Sequence, residues 1–100
     1  MISRQWRGLA RPDKAADYQE HLRTETFPAI GAIEGFVDAT ILKRAVAHGV
    51  EFLIVTRWKT MDAITRFAGD DPEVAVVPQT VREMMLDYDL TVRHYEIVED

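Results

Sequence analysis

The sequence predicts an α+β fold in which four antiparallel strands carry helices on one face, in the order βαββαβ. Alternating residue types near the two ends of the chain predict the first and last strands. A long β-branched stretch folded about the His48-Gly49 turn predicts a central hairpin, and two stretches with helical spacing lie between these strands. The 100 residues correspond to one domain, residues 1–100, without an internal repeat or a linker.

The first strand is predicted at residues 2–9, where Ile2, Arg4 and Trp6 fall on one face. Pro12 suits the first turn of the next helix, because that position needs no backbone donor. We expect Pro28 to interrupt this helix and to leave one loose turn after it. The predicted helix covers residues 12–27 and has an apolar stripe made of Ala15, Tyr18, Leu22 and Thr26.

The central hairpin joins a strand at residues 36–46 to a strand at residues 51–58. Alternation places Phe36 and Leu42 on one face of its first strand and Ile41 on the other. Both faces of the hairpin therefore carry apolar side chains. An antiparallel sheet that is apolar on both sides predicts that two chains bury their sheets against each other, so we expect a homodimer.

Two helical segments and a strand are predicted in the second half of the chain. Thr60 is expected to cap a helix that Gly69 ends, with an apolar stripe made of Met61, Ile64, Phe67 and Ala68. Helix-start patterns at Asp71-Pro72 and at Pro78 predict a broken helix over residues 70–86. The last part of that helix would carry Val81, Met84 and Met85.

Residues 88–98 alternate regularly and predict one long closing strand. The complete order is that of the ferredoxin-like split βαβ arrangement, with all helices on one face of the sheet.

Composition excludes several classes of function. The formal net charge is -5, and no dense cluster of Lys and Arg is present, so we expect no nucleic-acid partner. The absence of cysteine excludes disulfides, thiolate metal sites and a cysteine nucleophile. No window approaches the ~20 apolar residues of a membrane span, and the N-terminus does not resemble a secretion signal, so we expect a cytoplasmic protein without a membrane partner.

Several stretches together resemble the antibiotic biosynthesis monooxygenase-type (ABM) domain of the dimeric α+β barrel superfamily. They are R-x-W near the N-terminus, IEGF before the second strand, FLIVTRW, RFAGDDPEVAVVP, and the terminal D-x-x-V-x-HYE. The resemblance covers nearly the whole chain. It implies a dimeric α+β barrel, that is, a homodimer whose sheets face each other, with a small-molecule pocket between the helices and the sheet of each subunit.

The superfamily includes cofactor-free oxygenases of aromatic polyketides, haem-degrading enzymes and small proteins without a known substrate. The resemblance thus implies a cofactor-independent monooxygenase that uses dioxygen on a small aromatic or enolisable molecule. One alternative is a non-catalytic small-molecule-binding or stress-associated dimer. A haem-binding or haem-degrading protein is the third reading, although the first strand lacks the asparagine, and residues 73–86 the histidine, that the haem-degrading members pair.

Seven residues are predicted to form the site. His94 shares a strand face with Leu90 and Val92 and is the leading candidate for a general base, with His21 as the second catalytic candidate. The predicted substrate-binding residues are Trp58, Tyr18, Trp6, Phe67 and Arg4. No metal ligands are predicted.

Each of these candidates also has a structural interpretation. Trp58 fits a core position at the end of the sheet as well as an aromatic wall. The histidines fit satisfied structural or exposed positions. Strand arginines commonly pair with neighbouring acids, here Asp38, Glu51 or Asp89.

Overall fold

A computed structural model describes residues 1–99 of the chain. Within that range, five strands form one antiparallel sheet: β1 (Ile2–Ala10), β2 (Phe36–Val46), β3 (Gly49–Trp58), β4 (Met85–Tyr88) and β5 (Arg93–Glu96). The helices are α1 (Ala15–His21), α2 (Phe27–Gly31), α3 (Met61–Ala68) and α4 (Gln79–Arg82), and a π-helical turn at Leu22–Thr26 joins α1 to α2.

Strand β1 lies at the centre of the sheet. It pairs with β3 over its whole length, from Ile2 opposite Trp58 to Ala10 opposite Val50. Strand β2 pairs with the far side of β3, and both β4 and β5 pair with the free side of β1. The order β2-β3-β1-β4 confirms the predicted ferredoxin-like arrangement.

The closing strand is divided in two, which corrects the prediction of one strand at residues 88–98. Strand β4 ends at Tyr88 and β5 begins at Arg93. Between them, the backbone N–H of Asp89 donates to the Arg7 carbonyl (3.0 Å) and that of Val92 donates to the Glu73 carbonyl (2.8 Å). The chain leaves the sheet here because residues 73–75 replace β1 as its hydrogen-bonding partner.

Pro28 does not interrupt the first helix, contrary to the prediction. Instead the helix widens before it, where the backbone N–H of Phe27 donates to the carbonyl of Leu22, five residues earlier. In a regular α-helix, the proline ring would clash with the carbonyl four residues before it. The wider π-helical turn relieves that conflict, and the helix continues to Gly31. It also begins later than predicted, at Ala15.

The predicted broken helix at residues 70–86 is reduced to α4. Asp71 closes a turn rather than capping a helix, since its carboxylate and its carbonyl accept from the backbone N–H groups of Glu73 (3.3 Å) and Val74 (3.2 Å). Met84 follows α4, and Met85 begins β4. By contrast, Thr60 caps α3 as predicted, because its hydroxyl accepts from the Ala63 N–H at 3.2 Å.

A bulge in β2 changes which side chains share a face. The pairing with β3 shifts between Phe36 and Asp38, so Phe36 lies opposite Trp58 on the helix side whereas Leu42 lies opposite Leu53 on the open side. The prediction that Phe36 and Leu42 share a face was therefore wrong. A strict period-two assignment fails after one extra residue.

The apolar core is divided into two clusters on the helix side of the sheet. The first contains Ala10, Tyr18, Leu22, Phe52, Ile54, Val81 and Met85. The second contains Ile30, Trp58, Ala63 and Ile64. Phe27, the first residue of α2, packs against both clusters. The two halves of the core therefore meet beneath the long helix, the continuous helix formed by α1, the π-helical turn and α2.

Two glycines give a matched test of this packing. A Cβ on Gly49 would lie 2.3 Å from the Ala10 carbonyl oxygen, whereas a Cβ on Gly31, the last residue of α2, would meet nothing within 4 Å. We expect Gly49→Ala to lower the free energy of unfolding by about 1–3 kcal/mol, because backbone atoms must move. Gly31→Ala should raise it by about 0.4–1 kcal/mol. Urea unfolding at 25 °C measures the stability of both variants. Equal effects of the two substitutions would contradict the close approach of Gly49 to the Ala10 carbonyl.

Candidate functional site

A cavity of about 450 Å³ lies between the sheet and the helices, where the two core clusters leave space. Its floor is formed by β1 and β3, and its roof by the long helix and α3. The residues that line it are Arg4, Trp6, Tyr18, His21, Leu22, Glu25, Thr26, Ala29, Ile30, Ile33, Ile54, Thr56, Arg66, Phe67, Val76, Pro78, Val81 and Val92. Most of this surface is apolar, as in typical small-molecule sites.

Arg4 places a guanidinium group at the floor of this cavity. The residue is only 5% exposed, and burial lowers the pKa of Arg4 to about 10, so it remains a cation at neutral pH. Among residues 1–99, no carboxylate lies within 4.0 Å of it. Its hydrogen-bond partners are the Pro72 carbonyl, the Val74 carbonyl (3.4 Å) and the imidazole of His94 (3.0 Å).

Part of the Arg4 guanidinium has no protein partner. Its Nε–H makes no hydrogen bond within residues 1–99. In the same range, every side-chain nitrogen or oxygen that is inaccessible to solvent has a hydrogen-bond partner. The Nε atom is therefore reachable from solvent-accessible space. The guanidinium carbon also lies 5.6 Å from the centre of the Phe67 ring, a favourable cation–π arrangement.

His94 lies on the helix side of β5, directly opposite Arg4 in β1. Its Nε2 is 3.0 Å from Arg4 Nη1, and because a guanidinium only donates, Nε2 must be the unprotonated nitrogen. Burial lowers the pKa of His94, the Arg4 charge lowers it further, and Glu73 partly opposes this. The imidazole does not line the cavity.

Helix α1 and the π-helical turn form one wall of the cavity. His21 is half-buried there, one turn before Glu25, and Tyr18 is 2% exposed at the base of the same face. Burial raises the pKa of Tyr18, so its phenol stays protonated at neutral pH. The wide turn carries Leu22, Glu25 and Thr26 to the cavity, in line with the frequent occurrence of such turns at functional sites.

Trp6 closes one end of the cavity. Its indole N–H donates to the Asp89 carbonyl at 2.8 Å, in the break between β4 and β5. The ring extends over Gly8, where an added Cβ would lie 2.6 Å from the ring edge. Its centroid is 6.3 Å from that of Tyr18 and 6.4 Å from that of Tyr88. Gly8 and Asp89 together determine where this aromatic wall stands.

Trp58 is separated from the cavity. It is 0% exposed, its indole N–H donates to Thr56 Oγ1 at 2.8 Å, and it packs edge-on against Phe36 at 5.2 Å. Phe67 stacks on its other side at 6.1 Å and itself faces the cavity. Trp58 thus supports the wall that Phe67 forms.

The structure brings five of the seven predicted residues to one cavity: Arg4, Trp6, Tyr18, His21 and Phe67. It places His94 behind Arg4 and Trp58 behind Phe67. The prediction omitted the roof residues Glu25, Thr26 and Ala29, although they share the helix face of Tyr18 and Leu22 by spacing. Val76 and Pro78 also line the cavity. They were omitted because residues 70–86 were predicted as broken helix, which did not place these two residues at the cavity wall.

Arg7, Arg44 and Arg57 pair with acids on the open face of the sheet, so the expected pairing is confirmed for Arg57. No ion pair of Arg93 in β5 is found among residues 1–99. Arg57 forms a two-point contact with Asp38, and Glu51 joins Arg7 (2.9 Å) to Arg44 (2.8 Å) across three strands. Hydrogen bonds from these arginines lower the pKa of both carboxyls. Arg4 lies on the opposite face, where its guanidinium donates only to neutral acceptors.

Neither a metal centre nor a membrane span is found in the described part of the chain. Residues 1–99 contain no group of three or more His, Cys, Asp or Glu side chains placed to hold a metal ion. Within the same residues, no helix is both long and apolar enough to cross a bilayer.

Comparison with known proteins identifies the fold. No protein-family profile matches the chain, and no curated protein matches it in sequence. Among solved structures, a putative antibiotic biosynthesis monooxygenase from Deinococcus radiodurans is similar, with a TM-score of 0.68 and 17% identity over 100% of this chain and 95% of that one. The chain has the ABM fold.

Two further structures share this fold. A Bacillus cereus protein of the same description has a TM-score of 0.66 and 16% identity, over 99% of this chain and 96% of that one. An arginine-to-serine mutant of MhuD, with two manganese protoporphyrin IX molecules bound per active site, has a TM-score of 0.62 and 17% identity, over 100% and 97%. The expected resemblance to the ABM domain is confirmed at the level of fold.

The environment of His94 predicts a pH dependence of stability. Its folded-state pKa lies below the ordinary 6.5, so as the pH falls the unfolded chain takes up this proton first. The contribution of His94 is therefore complete above pH 6.5 and is lost as the pH falls towards the folded-state pKa. We expect the free energy of unfolding to fall more steeply from pH 7 to pH 5 in the wild type than in His94→Gln, as measured by urea unfolding.

His21 and His48 are present in both proteins, so their effects cancel in this comparison. Parallel pH profiles would contradict the neutral, Arg4-bound imidazole.

Proposed function

We propose that this protein is a cofactor-independent monooxygenase that acts on a small enolisable aromatic molecule bound in the cavity. The observation that carries the proposal is the buried guanidinium of Arg4, without a carboxylate partner within residues 1–99, on the floor of an apolar cavity that His21 also lines. An apolar enclosure, a fixed cation and an imidazole are the groups that substrate deprotonation needs.

Arg4 stabilises the negative charge that develops on the substrate oxygen. Its unpaired N–H groups are donors held in place before the reaction, which is the arrangement that stabilises oxyanions most effectively. The surrounding apolar walls exclude water and strengthen this interaction. The guanidinium is already desolvated in the folded protein. Ligand binding therefore does not have to supply the free energy of removing water from it.

His21 acts as the base that removes the proton from the substrate carbon. An imidazole is the side chain best matched to proton abstraction near neutral pH, and His21 is the one histidine on the cavity wall among residues 1–99. His94 was the leading candidate on sequence grounds, but its unprotonated nitrogen accepts from Arg4 and its ring lies outside the cavity. We therefore propose the role of base for His21.

The reaction then balances without a cofactor. The C–H proton passes to the imidazole of His21, and the resulting enolate is oxidised by dioxygen. One oxygen atom forms a carbonyl at the former CH₂ carbon, and the other leaves as water with the two hydrogens. Anthrone has the required acidic CH₂ group and would give anthraquinone. The fold shared with two proteins described as monooxygenases supports this reaction class.

Oxygen uptake with anthrone tests the proposal. We expect His21→Gln to lower the enzymatic rate by about 10²-fold or more, the usual contribution of a general base. Arg4→Met should lower it by about 10²-fold, as for the loss of an oxyanion donor. His48→Gln, at an exposed hairpin turn, is the matched control and should keep wild-type activity.

The same assay distinguishes the alternatives. Uptake at the rate of spontaneous oxidation for anthrone and 1,4-dihydroxynaphthalene, together with saturable binding of either compound, would favour a non-catalytic binding protein. Haem binding is the second candidate function, because His21 offers an imidazole on the wall of an apolar cavity. A saturable Soret shift with haemin that His21→Ala abolishes would replace the oxygenase proposal.

We also propose that two chains associate through the open face of the sheet. Leu53 and Val55 are half-buried at its centre, beside Leu42, which is 49% exposed. The ion pairs around Glu51 and Asp38 flank this apolar strip. A sheet with one face under helices and an apolar strip on the other face suits face-to-face packing.

Sedimentation velocity tests this assembly. We expect the wild type to sediment at twice the 11.5 kDa mass of one chain at micromolar concentration. Leu53→Lys should sediment as a monomer, because it places a charge in the apolar strip. Leu90→Lys, at a residue that is 73% exposed outside the strands, is the control and should remain dimeric. A folded Leu53→Lys dimer would contradict the assignment of this face.

A further inference from the structure

The Arg4 guanidinium is held by acceptors from two separate parts of the chain. A guanidinium has five N–H donors. Nη1 contacts the Pro72 carbonyl and His94 Nε2, and Nη2 contacts the Val74 carbonyl. Two of the three acceptors are backbone carbonyls of one extended segment. His94 is the one side-chain acceptor within hydrogen-bond distance in residues 1–99, and therefore the one that substitution can remove.

These contacts determine which way the guanidinium faces. His94 stands opposite Arg4 in the β1–β5 register, and the residue 72–74 segment contributes two carbonyls. The Phe67 ring lies 5.6 Å from the guanidinium carbon. All four partners leave the Nε–H unpaired, and Arg4 lines the cavity. Loss of the imidazole acceptor would leave Nη1 with the Pro72 carbonyl alone and would allow the group to turn.

The chemical type of this acceptor matters as much as its position. A carboxylate at position 94 would bind Arg4 more strongly, but it would also neutralise the charge that an anionic ligand needs. A neutral imidazole accepts the hydrogen bond and leaves the positive charge available. His94 is held neutral at pH 7 by burial and by Arg4, both of which lower its pKa, against the opposing charge of Glu73.

We infer that His94 is a positioning residue that orients Arg4 to bind the anionic oxygen of the ligand, and that it acts on the ligand only through Arg4. The inference rests on the proposed function of the cavity and deepens it. The ligand class that follows is an aromatic molecule with one anionic oxygen group, such as an enolate, a phenolate or a sulfonate.

Binding of a matched ligand pair tests the inference without requiring turnover. Naphthalene-2-sulfonate is anionic at all pH values of interest, and naphthalene-2-sulfonamide has the same ring system but is neutral. Titration calorimetry at pH 7.5 measures the affinity of both compounds. The salt concentration is held fixed because ionic screening affects only the binding of the charged sulfonate. We expect the wild type to bind the sulfonate more tightly than the sulfonamide.

Three substitutions at position 94 separate positioning from structural support. His94→Leu removes the acceptor and should weaken sulfonate binding about tenfold, while sulfonamide binding changes less than about twofold. His94→Gln restores a neutral acceptor and should restore sulfonate binding. His94→Glu should weaken sulfonate binding at least as much as His94→Leu, yet raise the melting temperature by forming an ion pair with Arg4.

A double-mutant cycle shows whether His94 acts through Arg4. In an Arg4→Met background, His94→Leu should cause no further loss of sulfonate affinity. Additive losses would overturn the positioning role, as would a His94→Leu protein that binds the sulfonate like the wild type. If the wild type binds neither naphthalene compound, the proposed function of the cavity fails together with the positioning role. If the wild type binds them but the His94 variants do not behave as expected, only the positioning role fails.

Discussion

The fold places a cation beneath its helix layer, and among residues 1–99 no carboxylate lies within 4.0 Å of it. Arg4 lies on the central strand, 5% exposed, where a guanidinium loses most of its hydration. Two carbonyls, one imidazole and one aromatic face replace only part of that hydration. A buried cation in this state is stabilised by any anion that reaches it. The proposed roles of the surrounding cavity, the neutral histidine and the stacked aromatic wall all depend on this charge.

The cavity exists because the core is divided. Trp58 and Ile64 fill the space under α3, and Tyr18 and Phe52 fill the space under α1, with rings 4.9 Å apart. Between them the helix must pass Pro28, and its π-helical turn carries Leu22, Glu25 and Thr26 over a gap rather than over packed side chains. The proline therefore shapes the roof of the site instead of ending the helix.

Local pattern predicted the strands of the hairpin, the cap of α3 and the βαββαβ order of elements along the chain, because alternation and capping depend on neighbouring residues. The same pattern failed where distant segments compete for hydrogen bonds. The break after Tyr88 exists because residues 73–75 bond to that part of the chain, and the bulge near Val37 reverses the face of Leu42. The site followed the same rule. Arg4 visibly shares a face with Ile2 and Trp6, but its partners at 72, 74 and 94 lie far along the sequence, so its isolation from acids was not predictable.

Arginine side chains have different partners on the two faces of the sheet. On the open face, Arg7, Arg44 and Arg57 meet the carboxylates of Glu51 and Asp38 beside solvent, where such pairs contribute little stability but offset most of the charge around the apolar strip. On the helix face, Arg4 meets only neutral acceptors. Neutral pairs suit a face that packs against another protein surface, whereas an unneutralised cation in an apolar space suits a face that takes up an anion. The distribution of acids among four arginines thus separates the proposed assembly face from the proposed catalytic face.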